Sequence, residues 1–197
     1  MTTLQEKLDA FHERVQRLIE RGAHYVQDGD VILVHSASGV VIKILLNAKE
    51  KLQRTFKVIV LKQDFTKTRQ LIQALLQAGI AHEVVPEYDL IHHLPQATKL
   101  FIGAVAVTPD RNVVASAGTA GIVSQCHIGK VPVYLFVNSL KFSHQPSQNQ
   151  HIHRKEEAET RDGLTYSLTT YSHSLVALQL IDHVVTGTGE LKLEPAV

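Results

Sequence analysis

The chain has 197 residues, 44% of them hydrophobic, and sets 20 lysines and arginines against 19 aspartates and glutamates. A length of this order buries roughly 70% of the unfolded surface, enough for one α/β domain with an appendage and too little for a second full domain. A formal charge of +1 supplies no field for nucleic acid or an anionic membrane, and the single cysteine, Cys126, excludes an internal disulfide and fits a reducing, cytoplasmic setting.

In chain order, Leu4, Leu8, Phe11, Val15, Leu18 and Ile19 recur at three- and four-residue steps, which predicts an amphipathic helix ending near Gly22. Its charges fall every few residues, unlike the apolar core of a signal peptide, and no segment approaches the roughly 18 to 20 apolar residues that cross a bilayer. A turn at Asp28-Gly29 feeds a β-rich run over 31–35 that stops at small residues. Helical periods over 40–52 and 65–76 alternate with strand runs over 56–61 and 82–85. Further strands are predicted at 100–107, 113–115 and 131–138, with a helix over 118–128 between the last two. Residues 143–162 are too polar to bury and read as an exposed excursion, and 164–185 returns to apolar periodicity. Strands alternating with helices imply parallel βαβ units. The expectation is therefore a three-layer, Rossmann-like α/β fold, a mostly parallel sheet with helices on both faces. One N-terminal helix (1–24) precedes the α/β domain (25–197).

Two strand-to-helix turns carry the functional interest. Ser36-Ala37-Ser38-Gly39 and the turn containing Gly118 and Thr119 both present hydroxyls and backbone N–H groups where an open parallel sheet binds ligands. Small residues there serve equally well as caps and close-packing positions. Neither turn has the lysine of a P-loop or the spaced glycines of a dinucleotide site. His92-His93 and the His151/His153 pair lack a clear third ligand, so no metal is expected. A triad of Ser36, His35 and Asp182 lacks the glycine-framed elbow of a hydrolase, and Cys126 reads as a buried hydrophobe.

The segments Asp28-Gly29-Asp30-Val31-Ile32-Leu33-Val34-His35, Ser38-Gly39-Val40-Val41, Gly103-Ala104, Gly118-Thr119, Lys130-Val131-Pro132-Val133-Tyr134 and Ser139-Leu140-Lys141-Phe142 follow one another in an order that resembles a known family. It comprises the alpha, beta and delta regulatory subunits of translation initiation factor 2B and the related methylthioribose-1-phosphate and ribose-1,5-bisphosphate isomerases. The resemblance runs over about 18–191, and the serine-to-KF segment is most similar to the alpha subunit. The isomerases use a cysteine after the strand-end histidine and an aspartate after Gly-Ala, and the matching positions here are Ser36 and Val105. A serine hydroxyl titrates far above a thiol, and valine exchanges no proton, so both acid–base roles are vacant.

The resemblance thus implies a non-catalytic, cytoplasmic initiation factor 2B-like module that regulates and oligomerises. Its implied partners are a second copy of itself, in a homodimer, and initiation-factor subunits. Its implied ligand is a phosphosugar or nucleotide on Ser36, Ser38, Gly39, Gly118 and Thr119, with no cofactor. The alternative is a sugar-phosphate aldose–ketose isomerase with an altered site, working through Ser36, His35 or Asp110. One helix stands where the family places a larger helical domain, so a more open pocket is expected.

Overall fold

A computed structural model describes residues 3–36, 38–62 and 65–191. Helix α1 (Leu4–Ala23) starts in a capping box: the Thr3 hydroxyl accepts from the Glu6 N–H, and the Glu6 carboxylate accepts from the Thr3 N–H. Then follow β1 (Val31–His35), α2 (Gly39–Glu50), β2 (Lys57–Lys62), α3 (Phe65–Gln77), β3 (Ala81–Pro86), β4 (Lys99–Gly103), β5 (Ala106–Val107), β6 (Asn112–Ser116), α4 (Thr119–Ile128) and β7 (Val133–Phe136). The chain ends in β8 (Arg154–Arg161), β9 (Leu164–Tyr171), β10 (His173–Ala177), β11 (His183–Val185) and β12 (Glu190–Leu191).

A seven-stranded sheet runs in the order β12-β11-β7-β4-β1-β2-β3. Its pairings are parallel except at β12, which pairs antiparallel with β11. Alternation along each strand divides the core. Ile32, Val34, Val58, Val60, Phe101, Tyr134 and Phe136 pack with α1, α2 and α3 on one face. Leu33, Ile59, Leu61, Leu100, Ile102, Val133 and Leu135 pack with α4 on the other. These near-continuous apolar runs are what a strand buried on both faces requires, and they give the three-layer fold expected from the pattern.

The Asp28-Gly29-Asp30 motif is a staple at the amino ends of the strands. The Asp28 carboxylate accepts from the Thr55 N–H and from Arg54, which holds it below the usual carboxylate range, the Thr55 bond contributing most. Buried Asp30 accepts from Lys99 Nζ at 2.5 Å, from the Thr98 hydroxyl and from the Gln27 N–H, tying β1 to β4.

The structure differs from the sequence expectation in two places. The run over 100–107 is split: β4 ends at Gly103, and β5 joins β6 and β10 in a separate antiparallel sheet of three strands. The strand expected at 113–115 is therefore the middle of that small sheet and no part of the parallel one. It covers the α4 face, burying Val113, Ala115 and Val176 against the main core. The 143–162 segment is largely exposed but not wholly so, since Ser147 is buried, and its second half is β8, paired along its length with β9 in an isolated hairpin. Charge hid this strand, because hydrophobic alternation marks only strands with a buried face.

Candidate functional site

From β1 the chain moves to β2 and β3 on one side; it then returns to β4 on the other side of β1 and continues to β7. The switch point thus lies between the carboxyl ends of β1 and β4, where connections leave in opposite directions and open a crevice. A cavity of about 780 Å³ sits there. Its floor comes from Ser36, Ser38 and Gly39 after β1, Gly103, Ala104 and Val105 after β4, and Phe136, Val137 and Asn138 at the end of β7. Phe11, His12 and Val15 of α1 form one wall. Val40 and Lys43 of α2, Thr66 and Gln70 of α3, Ser116 and Lys141 complete the lining. Among the described residues the lining holds two lysines and a histidine and no carboxylate, so it favours an anion. The first turn of α2 opens onto it, and the Ser38 side chain makes no capping bond to that turn.

Two local features shape the floor. Ser36 has φ +70°, a left-handed conformation unusual outside glycine, which turns the chain sharply from β1 into α2. Gly103 makes that turn fit, since a Cβ there would collide with the Ser38 side chain. Ala37 of the same turn lies outside the described residues.

The second turn is differently employed. His35 is fully buried on the α4 face of the sheet; its Nδ1 lies 2.9 Å from the Thr119 hydroxyl and its Nε2 2.8 Å from Glu87 Oε1. A carboxylate only accepts, so Nε2–H donates to Glu87, while Nδ1 shares a hydrogen bond with the Thr119 hydroxyl. Glu87 lies against Gly118, whose φ is +87° and where a Cβ would stand 2.6 Å from Glu87 Oε2. The anion at the amino end of α4 is therefore the protein's own Glu87. Gly118 and Thr119 are not part of the cavity lining, whereas Ser36, Ser38 and Gly39 are.

Asp110 also lies apart from the lining, in the turn between β5 and β6. Its carboxylate accepts from the Ser147 hydroxyl at 2.5 Å and from the Ser147 N–H at 2.9 Å. These bonds, the hydroxyl's foremost, hold it far below the usual carboxylate range and tie the start of the 143–162 excursion to the body. Asp182 accepts from the Val133 N–H at the amino end of β7, the opposite end of the sheet from Ser36, so no triad assembles. Cys126 is buried in α4, and burial pushes its thiol up to about 12. Among the described residues there is no group of three or more histidines, cysteines or carboxylates able to hold a metal, and no helix is long and apolar enough to cross a membrane.

Sequence reasoning missed His12, Lys43 and Lys141 as lining residues and Glu87 as the partner of His35. Lys141 was visible in the serine-to-KF segment, and its Nζ donates to the Ala104 carbonyl at the cavity rim. Lys43 and Glu87 sit in unremarkable local sequence and converge only through the fold.

The model of the Initiation factor 2 subunit family matches residues 1–192. A translation initiation factor eIF-2B subunit 2-like protein of Pyrococcus horikoshii is 34% identical over 139 residues, which cover 70% of this chain and 50% of the relative. The chain thus spans about half the length of that curated relative. Among solved structures, the Pyrococcus horikoshii OT3 translation initiation factor eIF-2B superposes with a TM-score of 0.81 at 27% identity, over 95% of this chain and 67% of that one. A chain of the tetrameric eIF2B-beta2-delta2 complex from C. thermophilum matches with a TM-score of 0.74 over 95% of this chain and 58% of that one; at 20% identity this likeness shows the fold alone.

Proposed function

Because the chain belongs to the Initiation factor 2 subunit family, we propose that it is a non-catalytic, initiation factor 2B-like regulatory module of cytoplasmic translation initiation. In this reading it associates with itself and with initiation-factor subunits, and holds a phosphosugar or nucleotide at the switch point. One observation carries the ligand half: a cavity of about 780 Å³ with Lys43, Lys141 and His12 on its walls and no carboxylate among its described lining residues. The assembly half is supported by the similar C. thermophilum chain, which belongs to a tetramer of two beta and two delta subunits.

The absence of turnover is supported by the chemistry at the floor. Val105 and Ser36 both line the cavity, and by the resemblance these are the positions where the isomerases carry their aspartate and cysteine. His35 has both ring nitrogens engaged and Asp110 is bound to Ser147, which occupies two of the three residues that the isomerase alternative calls on. Assaying purified protein with ribose-1,5-bisphosphate and methylthioribose-1-phosphate tests this directly. No product is expected, and turnover abolished by Ser36→Ala would overturn the reading. The double change Ser36→Cys with Val105→Asp is expected to restore measurable isomerisation only if the pocket still seats the sugar.

A further inference from the structure

The hairpin of β8 and β9 stands apart from both other sheets; among the described residues its strands pair only with one another, and every residue of the two strands except Glu159 is exposed. Asp162 (φ +50°) and Gly163 (φ +78°) close it in a two-residue turn of the type that matches strand twist. A solitary two-stranded ribbon is marginal in water, and three or more strands are needed for independent stability.

The two edges of this arm are chemically unlike. Six of the eight β8 residues are charged, and Arg154–Glu156 and Lys155–Glu157 pair along the strand itself. All eight β9 residues, Leu-Thr-Tyr-Ser-Leu-Thr-Thr-Tyr, are uncharged and rich in β-branched and aromatic types. Charge is the usual protection of an edge that must stay unpaired, so β8 is built to face water and β9 lacks that protection. Along β9, Leu164, Tyr166 and Leu168 share one face and are 72%, 43% and 40% exposed.

We propose that β9 pairs antiparallel with β9 of a second copy of this chain across a twofold axis, giving a continuous four-stranded sheet ordered β8-β9-β9-β8. A neutral strand meets its own copy without like-charge contact, and the twofold makes the interface self-complementary and closed. The resulting sheet ends in a charged β8 on each side, so addition stops at two chains. The proposal deepens the self-association put forward above and rests on it, and it is independent of the anion cavity.

In a two-residue hairpin the closing pair, Arg161 and Leu164, exchanges hydrogen bonds, so by alternation Thr165, Ser167 and Thr169 turn their backbone groups to the open edge. Ser167→Pro therefore deletes an edge donor while sparing the β8 ladder, and Lys155→Ser on the charged edge is the control. Multi-angle light scattering at tens of micromolar is expected to give twice the chain mass for wild type and Lys155→Ser, and the single chain mass for Ser167→Pro with an unchanged circular dichroism spectrum. In parallel, each residue from Thr165 to Thr169 is changed to cysteine in turn and oxidised; the residue on the twofold faces its own copy, so one of the five is expected to give a disulfide-linked dimer, since Cys126 is buried and facing residues of paired strands fall within disulfide range. A monomeric wild type overturns self-association and the arm together. A Ser167→Pro dimer, or no cross-link at any of the five positions, overturns the arm and leaves self-association standing.

Discussion

His35 shows how a residue beside a ligand site can serve the scaffold. It ends β1, faces away from the cavity and joins Thr119 of α4 to Glu87, so the strand that delivers Ser36 is pinned from behind. Replacing it with alanine strands a buried hydroxyl and removes a charge-assisted bond, a loss of about 2–3 kcal/mol by urea denaturation. Gly118→Ala adds a Cβ at φ +87° that would crowd Glu87, and about 1–3 kcal/mol of strain is expected from the same measurement. Stability unchanged in both variants would refute the pin. Asp110 gives a pH-dependent counterpart. Its folded-state value lies below its ordinary 3.8, so its contribution is present above about pH 4 and is lost as the pH falls further. The melting temperatures of wild type and Asp110→Asn should differ at neutral pH and converge in strong acid; a constant difference would assign the loss to packing instead.

At the scale of elements, α1 has two jobs. Its second half buries Leu18, Ile19, Gly22 and Ala23, and its middle lends Phe11, His12 and Val15 to the cavity wall. Leu18→Ala should cost about 2–5 kcal/mol, and a cost under 1 would mean that α1 is not part of the core. At the far edge, β12 is hooked back by Glu190, which accepts from the Tyr25 hydroxyl at 2.6 Å and pairs with His183. Burial, then the Glu190 bond, raises Tyr25 to about 12. Its stabilisation is complete below about pH 10 and is lost as the pH rises toward 12, so Tyr25→Phe should flatten the alkaline limb of the stability curve. An unaltered limb would contradict that. These elements were unequally legible in the sequence. The parallel strands and their helices announced themselves through apolar runs and three-to-four periodicity, because both faces of the sheet are buried. The arm and the small sheet did not: β8 and β9 bury neither face, and the break after Gly103 depends on the close approach of Ser38 from another part of the chain.

In the whole molecule, near-neutral charge conceals a local imbalance, with two lysines gathered at the switch point and acidic groups elsewhere committed to staples such as Asp28, Asp30 and Glu87. Ser36, Ser38 and Gly39 line the cavity, and the general rule for strand-to-helix turns made that position legible in the sequence. The identical logic applied to Gly118 and Thr119 met a carboxylate that no local pattern announces. In the proposed function the switch-point cavity binds a small phosphorylated ligand without transforming it. The most direct test is the thermal midpoint of wild type and Lys43→Ala against ribose 5-phosphate and adenosine monophosphate, with ligand recovered and analysed afterwards. A saturable rise is expected for wild type with at least one of them, about 2.7 kcal/mol at 100 times the dissociation constant, with a marked loss of that rise in Lys43→Ala and unchanged ligand. No rise with either compound, a rise that survives Lys43→Ala, or a converted ligand would contradict it.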